Sequence, residues 1–202
     1  MSNAGFDRET EPQALGLLQL REDPQYARIS PDRRVALVEA ALADGRTLAD
    51  RTGERWGKDP EEVAARCNVP VFLSEGDAGF GSVVVYAEYA PQSRSITLYR
   101  PAIRRLDRLI EEHGVPVCRN SGSTMPIFLA HELYHHFDCS RGSARLSRRH
   151  VVRIFSVGPW HWTSGLPSLA EIAAGAFAQR LLGLSFHPKL LDSLLLESQK
   201  TF

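Results

Sequence analysis

The stretch from residue 126 to residue 138, PIFLAHELYHHFD, places three histidines and two carboxylates in an otherwise apolar segment. Its apolar residues fall on nearly every side of a helix, which is typical of a helix in the middle of a core. A buried imidazole or carboxylate needs a polar partner, because burial without one costs free energy. This stretch therefore predicts a core helix that carries a site.

Within the stretch, His131, Glu132 and His135 form the pattern HExxH. Residues four apart lie on the same face of a helix, so both imidazoles can point at one ion. Nitrogen ligands of this kind suit Zn²⁺, and a catalytic zinc site keeps one position open to water. Glu132 is then the candidate for the base that takes a proton from that water. The alternative is a pair of hydrogen-bonded core histidines beside a surface glutamate.

A catalytic zinc site of this type needs a third protein ligand. The candidates farther along the chain are His150, His161, Glu171 and His187. Glu171 lies 36 residues after His135, and small residues share its face of the predicted helix, which would allow a close approach to another helix. However, Ser168 and Glu171 also form S-x-x-E, a capping box in which Glu171 would only bond the Ser168 backbone. The residues alone leave both interpretations open.

The composition limits the classes of protein to consider. The 202 residues include 24 basic and 24 acidic side chains, so net charge gives no reason to expect nucleic acid or a membrane as a partner. No signal peptide and no apolar run long enough to span a bilayer is evident. Three cysteines without a CxxC pair argue against a disulfide framework and favour a reducing, cytoplasmic setting.

The order of predicted elements is helices, a small sheet, then helices, which indicates an α+β fold. We expect a polar, irregular arm over 1–30 and a single domain over 31–202. One helix begins at Ser30 and ends at Gly45, and another follows within 47–57. Mostly antiparallel strands are expected within 69–75, 82–90 and 95–100. Further helices are predicted over 101–114, 126–138 and 168–184, and a last one within 188–199.

Four segments together resemble the ImmA/IrrE family of zinc-dependent metallopeptidases: DPEEVAARCNVPVFL, the strands that end in SITLY, FLAHELYHHFD, and AEIAAGAFAQRLL. The similarity covers about residues 35–185. It implies a zincin-like fold, zinc ligands at His131, His135 and Glu171, and a catalytic base at Glu132. It also implies a protein or peptide substrate, of which a transcriptional regulator is one kind.

Two segments, 101–125 and 140–167, are longer than the links that the family usually has at these places, so the substrate cannot be carried over with the metal chemistry. The second segment contains His161, a candidate for stabilising an oxyanion or a plain surface histidine. Its tryptophans, Trp160 and Trp162, either face substrate or anchor the insertion, and its arginines favour a solvated basic face. A zinc-binding interaction module that cleaves nothing, or a structural zinc site with four ligands, are the competing functions.

Overall fold

Helices and small β-sheets make up the residues that the computed structural model describes, which are 12–80, 83–112 and 122–191. The fold is α+β, as predicted. The helices are α1 Pro12–Arg21, α2 Pro31–Trp56, α3 Pro60–Arg66, α4 Arg100–Glu112, α5 Met125–Ser140, α6 Leu146–Arg149 and α7 Pro167–Leu182. The strands are β1 Val71–Ser74, β2 Ala78–Phe80, β3 Val83–Val85, β4 Ala87–Ala90, β5 Ser95–Tyr99, β6 Val151–Val157 and β7 Trp160–Gly165. Short 3₁₀ turns cover Tyr26–Arg28 and Gly142–Ala144.

The core lies where α7 packs between α2 and α5. The prediction that the first long helix ends at Gly45 is wrong, because α2 continues to Trp56. A Cβ added at Gly45 would lie 2.1 Å from the backbone oxygen of Ala173 in α7. Gly45 therefore allows the two helix backbones to approach closely and does not terminate α2.

The central sheet has the strand order β1-β5-β4. It is mixed rather than mostly antiparallel, because β1 pairs with β5 in parallel while β4 pairs with β5 antiparallel. The pairs β2 with β3 and β6 with β7 form separate antiparallel hairpins. Helix α5 packs against β4 and β5, so the sheet supports the helix that carries the HExxH residues.

The N-terminal segment differs from the expected irregular arm over the part that is described. Helix α1 packs on α2 and α7, and its Leu15 and Leu20 are buried, as is Ile29 after the first 3₁₀ turn. Residues 1–11 lie outside the described residues, as does most of the helix expected within 188–199. The described helices include none that is both long and apolar enough to cross a bilayer.

The basic segment after α5 forms the second 3₁₀ turn, α6 and the hairpin of β6 and β7. We predicted no strands here, although VVRIFSV and WHWTSG are rich in β-branched and aromatic residues and flank a Gly-Pro turn. That composition and spacing are the usual sequence signs of a hairpin. The arginines of the segment predicted a solvated basic face instead.

Candidate metal centre

Helix α5 is fixed at its start by a side chain from α4. One oxygen of the Asp107 carboxylate accepts hydrogen bonds from the backbone and the hydroxyl of Thr124, both at 2.7 Å. Its other oxygen accepts one from the Ser123 hydroxyl at 2.8 Å. A carboxylate at a helix N-terminus satisfies free N–H groups and complements the helix dipole. The longer segment 101–125 thus contains the cap of the motif helix.

A second carboxylate, Asp44 of α2, holds the middle and the end of α5. The Tyr134 hydroxyl donates to it at 2.9 Å, and the guanidinium groups of Arg141 and Arg149 also donate to it. Burial alone would raise the pKa of Asp44, but these hydrogen bonds outweigh burial and lower it. Tyr134, a middle residue of HExxH, is fully buried and therefore braces α5.

The two motif histidines meet Glu171 of α7. His131 Nε2 lies 3.1 Å from one carboxylate oxygen of Glu171, and His135 Nε2 lies 3.3 Å from the other. The two Nε2 atoms are themselves 3.2 Å apart. Two nitrogens and one carboxylate therefore converge on a common point between α5 and α7.

These spacings fit a small cation. Bonds of about 2.0–2.1 Å in a tetrahedral zinc site set neighbouring ligand atoms about 3.3–3.4 Å apart. The two Nε2 atoms, 3.2 Å apart, are close to that spacing, and each lies at a similar distance from its own oxygen of Glu171. Moreover, neutral imidazoles cannot make all three contacts hydrogen bonds. If both Nε2 atoms carry protons, the two N–H groups point at each other. If either Nε2 is unprotonated, its lone pair faces a lone pair of a Glu171 oxygen. A cation at the centre makes every contact attractive.

Glu171 is free for this role because another acid caps the start of α7. Asp23, in the turn after α1, accepts hydrogen bonds from the Ser168 backbone at 3.1 Å and from its hydroxyl at 2.7 Å. The capping-box alternative required Glu171 to bond that same backbone N–H. Since Asp23 occupies it and Glu171 contacts the histidines, the alternative is not what the chain forms.

The electrostatics of the centre favour an ionised carboxylate. Burial alone would raise the pKa of Glu171, but hydrogen bonds and charge interactions with His131 and His135 lower it well below its usual range. All three side chains are partly exposed, so solvent reaches the point on which they converge. A site with an open side is typical of metal ions that take part in chemistry rather than of closed structural sites.

Glu132 lies on the same side of α5 as the histidines. One of its carboxylate oxygens is within 4.8 Å of a ring nitrogen of both His131 and His135, and these three residues can hold a metal ion. Its side chain is largely buried, at the edge of the centre. The four residues predicted for the site are thus close together.

Two of the other candidate ligands, His150 and His161, lie elsewhere. His150 directly follows α6, and burial, together with the charges of Arg149 and Arg33, lowers its pKa. His161 lies on the β6–β7 hairpin and bonds the Ser156 hydroxyl at 2.8 Å. The third candidate, His187, is nearer the centre: it is buried against Gly175 of α7, and this burial, together with the charge of His131, lowers its pKa. Its Nδ1 accepts the Lys189 N–H, and its Nε2 has no hydrogen-bond partner among the described residues.

Sequence reasoning did not identify the three aspartates that position the centre, Asp23, Asp44 and Asp107. Each bonds a residue distant in sequence, and no local pattern marks such a pair. No family model, curated protein or solved structure matches this chain.

Proposed function

We propose that this protein is a zinc-dependent metallopeptidase with a zincin-like fold, in which His131, His135 and Glu171 bind the metal and Glu132 is the catalytic base. The observation that carries the proposal is the convergence of Glu171 on both histidines at 3.1 and 3.3 Å. The resemblance to the ImmA/IrrE family supports it, because the same residues match the family's metal-binding and catalytic positions.

In this proposal, the chain's own residues orient the reactants and move the proton. Zinc supplies Lewis acidity, which activates water and polarises a carbonyl group. The Glu132 carboxylate takes a proton from the attacking water and returns it to the amine nitrogen that leaves. Asp44 and Asp107 act indirectly, because they fix the helix on which Glu132 and both histidines are carried.

The free edge of β4 provides a place for substrate. Within the described residues β4 pairs only with β5, and it lies against the motif helix. An extended peptide can add to such an edge through main-chain hydrogen bonds. The substrate would then be an unfolded or flexible segment of a protein, with a transcriptional regulator as the kind that the resemblance implies.

Cys67 and Cys139 are free thiols, which supports a reducing, cytoplasmic setting.

Metal analysis and cleavage of a mixed peptide pool, followed by mass spectrometry, test the proposal together. We expect one zinc ion per wild-type chain. Glu171→Ala should weaken zinc binding by more than about 100-fold, because it removes a ligand. Loss of a residue that only hydrogen-bonds a ligand typically weakens metal binding by about 10–100-fold. Glu132→Gln should retain zinc but slow cleavage by about 10²–10⁴-fold, because it removes the proton carrier while preserving shape.

His150→Gln is the matched control, since it changes a partly buried histidine outside the site and should alter neither readout. Wild-type zinc affinity in Glu171→Ala would refute the assignment of the third ligand. Undiminished cleavage by Glu132→Gln would refute the assignment of the base. Zinc bound by a wild-type protein that cleaves no peptide would instead favour the interaction module that cleaves nothing.

A further inference from the structure

The hairpin of β6 and β7 exposes an apolar face. Phe155 pairs across the strands with Trp162, and Val157 pairs with Trp160, so all four side chains share one face. They are 57%, 55%, 54% and 70% exposed, in that order, and the rings of Phe155 and Trp162 are 5.7 Å apart. We call these four residues the aromatic face. The neighbouring pair on the opposite face, Ser156 and His161, is polar.

The aromatic face continues a surface that is buried at the base of the hairpin. Val152 pairs with Ser164, and residues 164, 162 and 160 alternate onto the same face of β7. Val152 itself is buried in the main core. The hairpin therefore extends its core-facing side past the body of the protein, where the four apolar side chains meet solvent. An exposed cluster of this kind usually marks a binding surface.

Cations without acidic partners lie around the hairpin. Residues 139–170 contain five arginines and no aspartate, glutamate or lysine. Two of the five, Arg141 and Arg149, are paired with Asp44. Arg148 and Arg153 are exposed and form no ion pair within the described chain, and Arg153 pairs with Thr163 on the polar face of the hairpin. A third cation, Arg28, bonds the backbone oxygen of Ile154 in β6. We call Arg28, Arg148 and Arg153 the basic rim.

We propose that this hairpin binds the surface of an anionic lipid bilayer, with the aromatic face in the interfacial layer and the basic rim against the headgroups. Tryptophan prefers the membrane–water interface, where its ring is half in an apolar and half in a polar environment. Arginines near an anionic leaflet add electrostatic attraction that salt screens. The combination of an apolar face and flanking cations is the usual pattern of a peripheral membrane contact.

The size of the aromatic face favours a bilayer over a protein partner. Aromatic side chains bury about 150–250 Å² each when fully covered, so these partly exposed residues offer roughly 400–500 Å². A stable protein interface needs about 800 Å² on each partner. A bilayer needs no matching second surface, because its interface adapts to a projecting hairpin. The balanced net charge predicts no membrane partner, but an average over the chain does not describe the acid-free segment 139–170.

Sedimentation with lipid vesicles tests the proposal on the full chain. Vesicles of neutral phosphatidylcholine are compared with vesicles that also contain anionic phosphatidylglycerol. We expect the protein to bind the anionic vesicles and salt to release it. The double substitution Val157→Ser and Trp160→Ser should reduce partitioning at least about tenfold. Arg148→Gln and Arg153→Gln should each reduce it about fivefold.

Phe72→Ser provides the matched control, because Phe72 is an apolar residue that is also 57% exposed but lies on β1, outside the acid-free segment. Its binding should equal that of the wild type, and all variants should melt as the wild type does. The proposal is overturned if anionic vesicles bind no protein, if Phe72→Ser weakens binding as much as the hairpin substitutions, or if the aromatic face instead mediates dimers in light scattering.

Discussion

Replacing Asp23 with alanine should weaken both the start of α7 and the position of Glu171. Asp23 is buried, and one of its oxygens accepts both the backbone N–H and the hydroxyl of Ser168. Its other oxygen accepts the Gln25 N–H at 2.8 Å. The substitution removes a charged acceptor from two donors of Ser168 that water reaches poorly, because Ser168 is also buried.

The expected loss of stability follows from these contacts. A hydrogen bond to a charged group contributes about 1.5–3 kcal/mol, and two such bonds to Ser168 disappear. Part of this is offset, because the cost of burying the carboxylate disappears with it. We expect the free energy of unfolding to fall by about 2–4 kcal/mol. For a chain of this length, Tm should then fall by roughly 5–15 °C in calorimetry.

A double-mutant cycle with Ser168→Ala separates this contact from general damage. The two substitutions together should cost less than the sum of each alone, by at least about 1 kcal/mol, because both remove the same hydroxyl–carboxylate bond. Zinc affinity should fall in Asp23→Ala, since the released Ser168 N–H now competes for Glu171. Strict additivity, or a stability loss below about 0.5 kcal/mol, would refute the reasoning.

Two further predictions concern α7. Burial, together with the charges of His131 and Lys189, lowers the pKa of His187 to about 4. The contribution of His187 to the free energy of unfolding is therefore complete above pH 6.5 and should fall by about 3 kcal/mol as pH drops to 4. Denaturant titrations should show a smaller fall in His187→Gln. Gly45→Ala should cost about 1–3 kcal/mol and weaken zinc binding, because its Cβ would push α7 away; an unchanged Tm would contradict this.

The sequence was most informative where one segment carries its own pattern. HExxH in an apolar helix predicted α5 and placed two histidines on one face, as the structure shows. Small residues around Glu171 indicated a close helix contact, and α7 does pack tightly on α2 and α5. The α+β class likewise followed from the order of locally patterned segments.

Sequence reasoning failed where a distant residue decides the local structure. Gly45 looked like a helix terminator, but the contact with Ala173 explains it. The choice between ligand and capping box for Glu171 depended on Asp23, which bonds a residue 145 positions away. Neither the Gly45–Ala173 contact nor the Asp23–Ser168 hydrogen bond can be read from neighbouring residues in the sequence, because both form only when α7 packs against the N-terminal elements.

The position of Asp44 has a consequence for the order of events during maturation. Its carboxylate joins α2 to Tyr134 and Arg141 of α5 and to Arg149 of α6, so the backbone beneath the histidines is held by contacts that involve no metal. Small zinc-dependent domains unfold when their metal is removed. Under the proposed function, these contacts predict that the polypeptide reaches its folded shape without the ion and binds it afterwards.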